Sequence, residues 1–317
     1  MKATRTDRFK SALQTFPDPA RDLLQHLPQQ GGQLSSKTCN RLVDLLGVSL
    51  EELMIRLLPL AKVFSVVPIS NFHVGAVALA GENALDGEMN LYLGANMEFE
   101  HLALNMSIHA EQAAVMNAWH QGAGIVKYLA TSETPCGHCR QFLKELYGST
   151  DLRLLRSAGG ENGYHSSRLS EMLPGAFSPT GLGNNSSFMA PPQTIRKFEL
   201  VHPSEDPVVQ AALLAAETAY APYTGNFAGC ALQTPQGVIV SGGYVESVAY
   251  NPSISPLHST LLRLNLMKID EELFFDRLVL VEKPTRICQK DMLEMLIRSL
   301  APHVELEYFI AQEEESS

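Results

Sequence analysis

The chain has 317 residues, room for two domains and a small additional module. Its 24 Lys and Arg against 34 Asp and Glu give a formal net charge of −10, which argues against nucleic-acid surfaces and phosphate-rich substrates, because both need a basic face. No apolar run of about 18 residues is present to span a membrane, residues 1–16 lack the apolar core of a secretory signal, and five cysteines do not read as a disulfide framework, so a reducing cytoplasm is expected.

Residues 1–52 read as a helical module. Asp18-Pro19 opens one helix, and Leu23, Leu24 and Leu27 give it an apolar side. Ser49-Leu50-Glu51-Glu52 is a capping box, predicting a helix through Leu53 to about Lys62 that Pro59 bends or shortens. From Val63 the periodicity changes. Residues 72–79 and 90–94 read as strands, 108–121 as a helix ended by Gly122, 126–132 as a buried strand and 136–147 as a further helix. The alternation predicts an α/β sandwich around one sheet, with a first domain over 53–177. Residues 178–195, rich in Gly, Asn, Ser and Pro, read as irregular, within a linker over 178–205.

The remaining residues, 206–317, echo the first domain. Tyr220 through Leu232 repeats the order of Val66 through Leu79: a proline, then Asn-Phe, then a strand of small residues. Gly242-Gly243-Tyr244-Val245-Glu246 repeats Gly94-Ala95-Asn96-Met97-Glu98. Counting on eleven from Glu246 places Leu257 where His109 would stand and Ser259 where Glu111 would stand, and Cys288 stands alone. The alternative is two unrelated α/β domains sharing turn residues by chance. The kept order and spacing favour a degenerate copy.

His109-Ala110-Glu111 and Pro135-Cys136-Gly137-His138-Cys139 carry the chemistry. One histidine and two cysteines fill three tetrahedral positions of a zinc ion and leave the fourth for water. Glu111 is not needed as a ligand and is free to carry protons. Cys136 and Cys139 fall at the start of a predicted helix, whose positive end favours thiolates, as does Arg140. His109 and Glu111, two apart, converge only beyond a helix tip. Two thiolates balance the charge of Zn²⁺, so a bound water can lose a proton near neutral pH. The alternative is a closed structural site with His138 as fourth ligand. It is disfavoured because a residue between two helix-start ligands should point away. One zinc per chain is expected, since only the first domain keeps the ligands.

With these motifs the chain resembles the bacterial cytidine deaminases of the larger, homodimeric class. The resemblance rests on Val67-Pro68-Ile69-Ser70-Asn71-Phe72-His73-Val74-Gly75-Ala76, Gly94-Ala95-Asn96-Met97-Glu98-Phe99, His109-Ala110-Glu111-Gln112 and Thr134-Pro135-Cys136-Gly137-His138-Cys139-Arg140-Gln141. The wider deaminase superfamily shares only the zinc pair of motifs. The Asn-x-Glu and Asn-Phe-x-Val-Gly elements are typical of enzymes acting on free nucleosides. The resemblance implies an α/β fold of two tandem α/β/α sandwich domains, the second degenerate, plus the N-terminal helical module. It implies that Asn96 and Glu98 hold the ribose and that Phe72 packs on base and sugar. The Ala110 N–H would meet the pyrimidine O2, and the Thr134 carbonyl the departing amino group. The loop Leu173-Pro174-Gly175-Ala176-Phe177 would reach into the neighbouring subunit, where Phe177 stacks on the base. The implied reaction is hydrolytic deamination of cytidine and 2′-deoxycytidine, with water activated by zinc adding to C4 and Glu111 shuttling protons. Expected partners are the nucleoside and a second copy of the chain, with neither nucleic acid nor membrane. A nucleic-acid deaminase would want a basic groove with stacking aromatics. A non-enzymatic zinc-stabilised binding or scaffold protein is the other alternative, and the ultraviolet change of cytidine to uridine separates all three.

Overall fold

The computed structural model describes residues 4–81, 88–157, 163–191, 196–267 and 274–314. Four helices open the chain. Thr4 and Asp7 form a capping box on α1 (Arg5–Leu13), Pro19 sits in the first turn of α2 (Asp18–Leu24), and Ser35 caps α3 (Ser36–Leu46). α4 (Leu50–Lys62) starts at the predicted Ser49–Glu52 capping box. It runs on through Pro59, because Leu57, Leu58, Leu60 and Ala61 are buried in one cluster with Val77, Leu79, Leu91 and Leu93 of the sheet beneath. The opening module is not wholly helical. β1 (Gln33–Leu34) pairs antiparallel with β3 (Met89–Ala95) and forms an edge of the first sheet. Residue 52, taken from the sequence as the end of the module, lies inside the first turn of α4.

The first sheet contains β2 (Gly75–Gly81), β3 (Met89–Ala95), β4 (Ile125–Thr131), β5 (Arg153–Ser157) and β6 (Tyr164–Arg168), in the order β1-β3-β2-β4-β5-β6. β4 and β5 are its parallel pair. Side chains alternate across a strand, and on β2 both faces are covered. Val77 and Leu79 face the α4 cluster, while Ala76, Ala78 and Ala80 face the cluster containing α5 (Ala110–His120). The small residues let α5 come close. A Cβ on Gly94 of β3 would lie 2.1 Å from the Ala114 nitrogen. α6 (Gly137–Leu143) follows β4, and α7 (Leu169–Met172) follows β6.

The second half repeats this plan with β7 (Phe198–Leu200), α8 (Pro207–Glu217), β8 (Ala228–Gln233), β9 (Ile239–Gly243), α9 (Pro256–Met267), β10 (Arg277–Glu282), α10 (Lys290–Leu300) and β11 (Leu306–Glu313). Its sheet order, β7-β11-β10-β8-β9, reproduces β5-β4-β2-β3 in β11-β10-β8-β9, with β10 and β11 as the parallel pair. Gly229 meets α8 as Gly75 meets α4, and Gly242 meets α9 as Gly94 meets α5. The chain therefore holds two tandem α/β domains of one kind. Between them, Phe188 is buried against Trp119, Phe142 and Tyr220, so the expected linker packs on both halves there; its residues 192–195 lie outside the described ones.

The repeat also corrects the register counted from the sequence. The bridge Val245↔Ile254 matches Met97↔Ile108, so the intervening loop is two residues shorter in the second half. Ser255 and Leu257 therefore stand where His109 and Glu111 stand, in place of Leu257 and Ser259.

Candidate active site

His109 is the N-cap of α5 and Cys136 the N-cap of α6. Both take extended backbone, which turns the side chains past the helix tips toward each other. His109 Nδ1 lies 3.4 Å from Cys136 Sγ and 3.2 Å from Cys139 Sγ, and the two sulfurs are 3.6 Å apart. Bonds of about 2.3 Å to sulfur and 2.0–2.1 Å to nitrogen in a tetrahedron space ligand atoms by about 3.5–3.8 Å. The triangle fits a zinc ion. The Cys139 thiol and the His109 ring hold the Cys136 thiol down at about 3, while the Cys136 side chain and burial push the Cys139 thiol far up. Zinc binds the deprotonated forms of both sulfurs.

The expectation that His138 points away from the site does not hold. Its ring centroid is 5.6 Å from that of His109, and ligand atoms of His109, His138 and Cys139 lie within 4.8 Å of one another. Its Nε2 is 3.3 Å from the Asn251 carbonyl, a contact from the second half.

Glu111, in the first turn of α5, is buried. Burial raises its carboxyl above the usual range, offset in part by its own backbone amide, the His109 ring and the Cys139 side chain. A buried carboxyl with a shifted pKa beside the triangle is a candidate proton carrier.

A cavity of about 480 Å³ opens over this floor. It gathers Phe72, Asn96, Glu98, Ala110 and Thr134 with His109, Glu111 and Cys136. Asn96 Nδ2 donates to the Phe72 carbonyl and its Oδ1 accepts from the Val74 amide, both at 2.9 Å, leaving one N–H for a ligand. Glu98 accepts the Ile69 and Ser70 amides at 3.0 Å and the Ser70 hydroxyl. Burial would raise its carboxyl, but these donors outweigh that and hold it below the usual range. The Thr134 hydroxyl accepts from Arg156 at 2.8 Å. The wall also includes Leu104 and Ser107, which the sequence reading missed. A usable signal was their place between the Glu98 and His109 motifs. Leu104 is 72% and Phe72 56% exposed, so both line an open mouth and neither is core. Phe177 is not among the lining residues. Its carbonyl accepts from Gln141 Nε2 at 2.7 Å, and its ring is half exposed.

The matching region of the second half is filled. Gly225 (φ 68°) takes the place of Asn71 (φ 54°), so Asn226 stands at the position of Phe72. Asn226 is fully buried, donating to Glu282 at 2.7 Å and accepting from Gln289 at 3.0 Å. Among the described residues, the one His/Cys/Asp/Glu group able to hold a metal is in the first half.

Two stretches of the chain, 48–150 and 169–294, match the family described as the cytidine and deoxycytidylate deaminase zinc-binding region. Curated proteins named cytidine deaminase are similar over almost the whole length. One from Aliivibrio fischeri is 35% identical over 95% of this chain and 97% of its own. One from Aeromonas hydrophila is 37% identical over 95% and 98%. One from Photorhabdus laumondii is 36% identical over 92% and 96%. The chain belongs to the zinc-dependent cytidine and deoxycytidylate deaminase family. The second match falls on the half in which Ser255 and Leu257 stand at the positions of His109 and Glu111. Among the described residues no helix is long and apolar enough to cross a membrane.

Proposed function

We propose that the first-half cavity binds a free nucleoside and that the protein hydrolyses cytidine and 2′-deoxycytidine to uridine and 2′-deoxyuridine, releasing ammonia. The observation that carries this is the His109–Cys136–Cys139 triangle with Glu111 beside it, on the floor of a cavity walled by Asn96 and Glu98. His109, Cys136 and Cys139 would hold one zinc ion, which would supply Lewis-acid activation of a water. The chain supplies the rest. Glu111 moves a proton from the attacking water to N3 of the base. It then moves a second to the 4-amino group, so that ammonia leaves. This use of one carboxyl as base and acid is worth about 10²–10⁴-fold. The Ala110 amide meets the pyrimidine O2, the Thr134 carbonyl orients the amino group, and Phe72 covers base and sugar. Asn96 and Glu98 hold a ribose hydroxyl, and the Glu98 charge turns away a phosphate.

The functional division is an N-terminal module that ends before α4, a catalytic domain from α4 to residue 177, a linker from 178 to the start of β7 and a degenerate domain from β7 onward. The protein acts as a homodimer in the cytoplasm. Support for the dimer is the exposed Phe177 loop, which lies off its own cavity, and support for the compartment is that all five cysteines are free. The test is the ultraviolet change on incubating the zinc-loaded protein with cytidine, deoxycytidine, cytidine monophosphate and cytosine. Turnover of the two nucleosides, with the nucleotide and free base much poorer, is expected. Inactivity on cytidine, or equal kcat/KM for cytidine and its monophosphate, contradicts the assignment.

A further inference from the structure

The degenerate half supplies no metal ligand, yet one of its loops grips both helices that do. In residues 247–253, the Val248 amide donates at 2.8 Å to Glu145, the Asn251 carbonyl lies 3.3 Å from His138 Nε2, and the Pro252 carbonyl accepts from Gln112 Nε2 at 3.1 Å. Gln112 belongs to α5, and its Oε1 accepts the His109 amide at 3.2 Å, so the chain of contacts reaches a ligand residue directly. His138 is in the first turn of α6, and Glu145 follows the last turn, so this short helix is held at both ends. The Glu145 carboxylate is fully buried and takes two more donors from the second half, Tyr220 at 2.8 Å and Tyr223 at 2.5 Å. The first half returns the grip through the matching loop. The Glu100 carbonyl accepts from Ser299 at 2.6 Å, and the Phe99 ring packs 5.4 Å from His258. α5 and α9 meet between the two loops, where the Ser259 hydroxyl lies 3.0 Å from His120 Nε2.

The three candidate ligands come from two separate helices, so their geometry depends on how α5 and α6 are set against each other. A metal site tolerates about 0.5 Å of displacement before it loosens. A buried carboxylate bound to three donors is a rigid anchor, because releasing it would leave buried groups unpaired.

We infer that the 247–253 loop of the degenerate half sets α5 against α6, and that Glu145, Gln112, Tyr220 and Tyr223 are positioning residues for the zinc site. This rests on the reading that His109, Cys136 and Cys139 hold zinc. The test uses the full-length, zinc-loaded protein and two variants. Tyr220→Phe combined with Tyr223→Phe removes two hydroxyls and no ring volume. Gln112→Glu keeps an acceptor for the His109 amide and loses the donor to Pro252. Zinc release to a chromogenic chelator, well below the unfolding temperature, should be about fivefold faster or more in each variant, toward the 10–100-fold typical of groups that support metal ligands. kcat should fall while KM stays within about twofold, because the nucleoside wall is untouched. Unchanged zinc release and kcat, with only the melting temperature lowered, would make the loop a simple interdomain clamp and overturn the inference. A wild-type protein that binds no zinc, or a Cys136→Ala variant that still binds it, would instead overturn the zinc reading itself.

Discussion

Glu98 and Glu246 make the same contacts in the two halves. Each accepts two successive backbone amides and one hydroxyl, from Ile69 and Ser70 in the first case and from Tyr223 and Thr224 in the second. In the second half Tyr244 and Asn226 stand in place of Asn96 and Phe72, so the contact persists where the cavity wall does not. It shapes the loop before the strand, and in the first half that loop also walls the cavity. The surroundings separate the pair. Burial raises the Glu246 carboxyl, whereas hydrogen bonds outweigh burial at Glu98 and lower it.

Glu98→Gln should cost about 1 kcal/mol at pH 7 after allowance for solvent screening, a shift of about 2 °C in melting temperature. The folded carboxyl titrates below its unfolded value of 4.5, so its contribution is complete above pH 4.5 and disappears as pH falls through the lower folded value. Thermal melts of both proteins across pH 3 to 7 should therefore converge at the acid end. A constant gap would contradict the assigned hydrogen bonds.

Glu111→Gln should keep the fold and the zinc and lose about 10²–10⁴-fold in kcat, the size of a missing proton shuttle. Metal analysis beside steady-state kinetics decides it. Loss of metal, or activity within about tenfold of wild type, would assign Glu111 a different role.

Purified protein should hold one zinc per chain, and His109→Ala should abolish tight binding. Ser255 and Leu257 leave the second half without the corresponding groups. Two tightly held ions per chain by mass spectrometry would contradict this count.

Phe177→Ala should weaken substrate handling and leave zinc in place. Mixing Glu111→Ala subunits with Phe177→Ala subunits should restore part of the activity, because one site of each mixed dimer then carries neither defect. If mixing restores nothing, Phe177 acts within its own chain or the protein is not a dimer.

Gly94→Ala should destabilise by about 3 kcal/mol in urea melts, since overpacking against backbone has no cheap relaxation. The new Cβ would meet the Ala113–Ala114 backbone within 2.1–2.6 Å. Gly137→Ala, with nothing within 4 Å of the added atom, should be near neutral. Equal effects at the two positions would contradict the close seating of α5 on β3.

What the sequence determined by itself is what short-range chemistry encodes. Cap signals set the start of α4, and the His-x-Glu and Cys-x-x-Cys spacings set His109, Glu111, Cys136 and Cys139 at two helix tips. Resemblance to a family added Asn96, Glu98 and Phe72, which no local pattern singles out. Tertiary structure alone decided the rest. The two-residue shortening that brings Ser255 to the position of His109 is visible only through the Val245–Ile254 pairing. β1 is too short to show a strand pattern and exists because Leu34 pairs with Leu91. Pro59 stays within α4 because burial against the sheet outweighs one lost hydrogen bond. Glu145 carries no signal in its neighbours, since all three of its side-chain donors lie 75 to 103 residues away. Contacts at that separation form only when the two halves dock, and no local propensity records them.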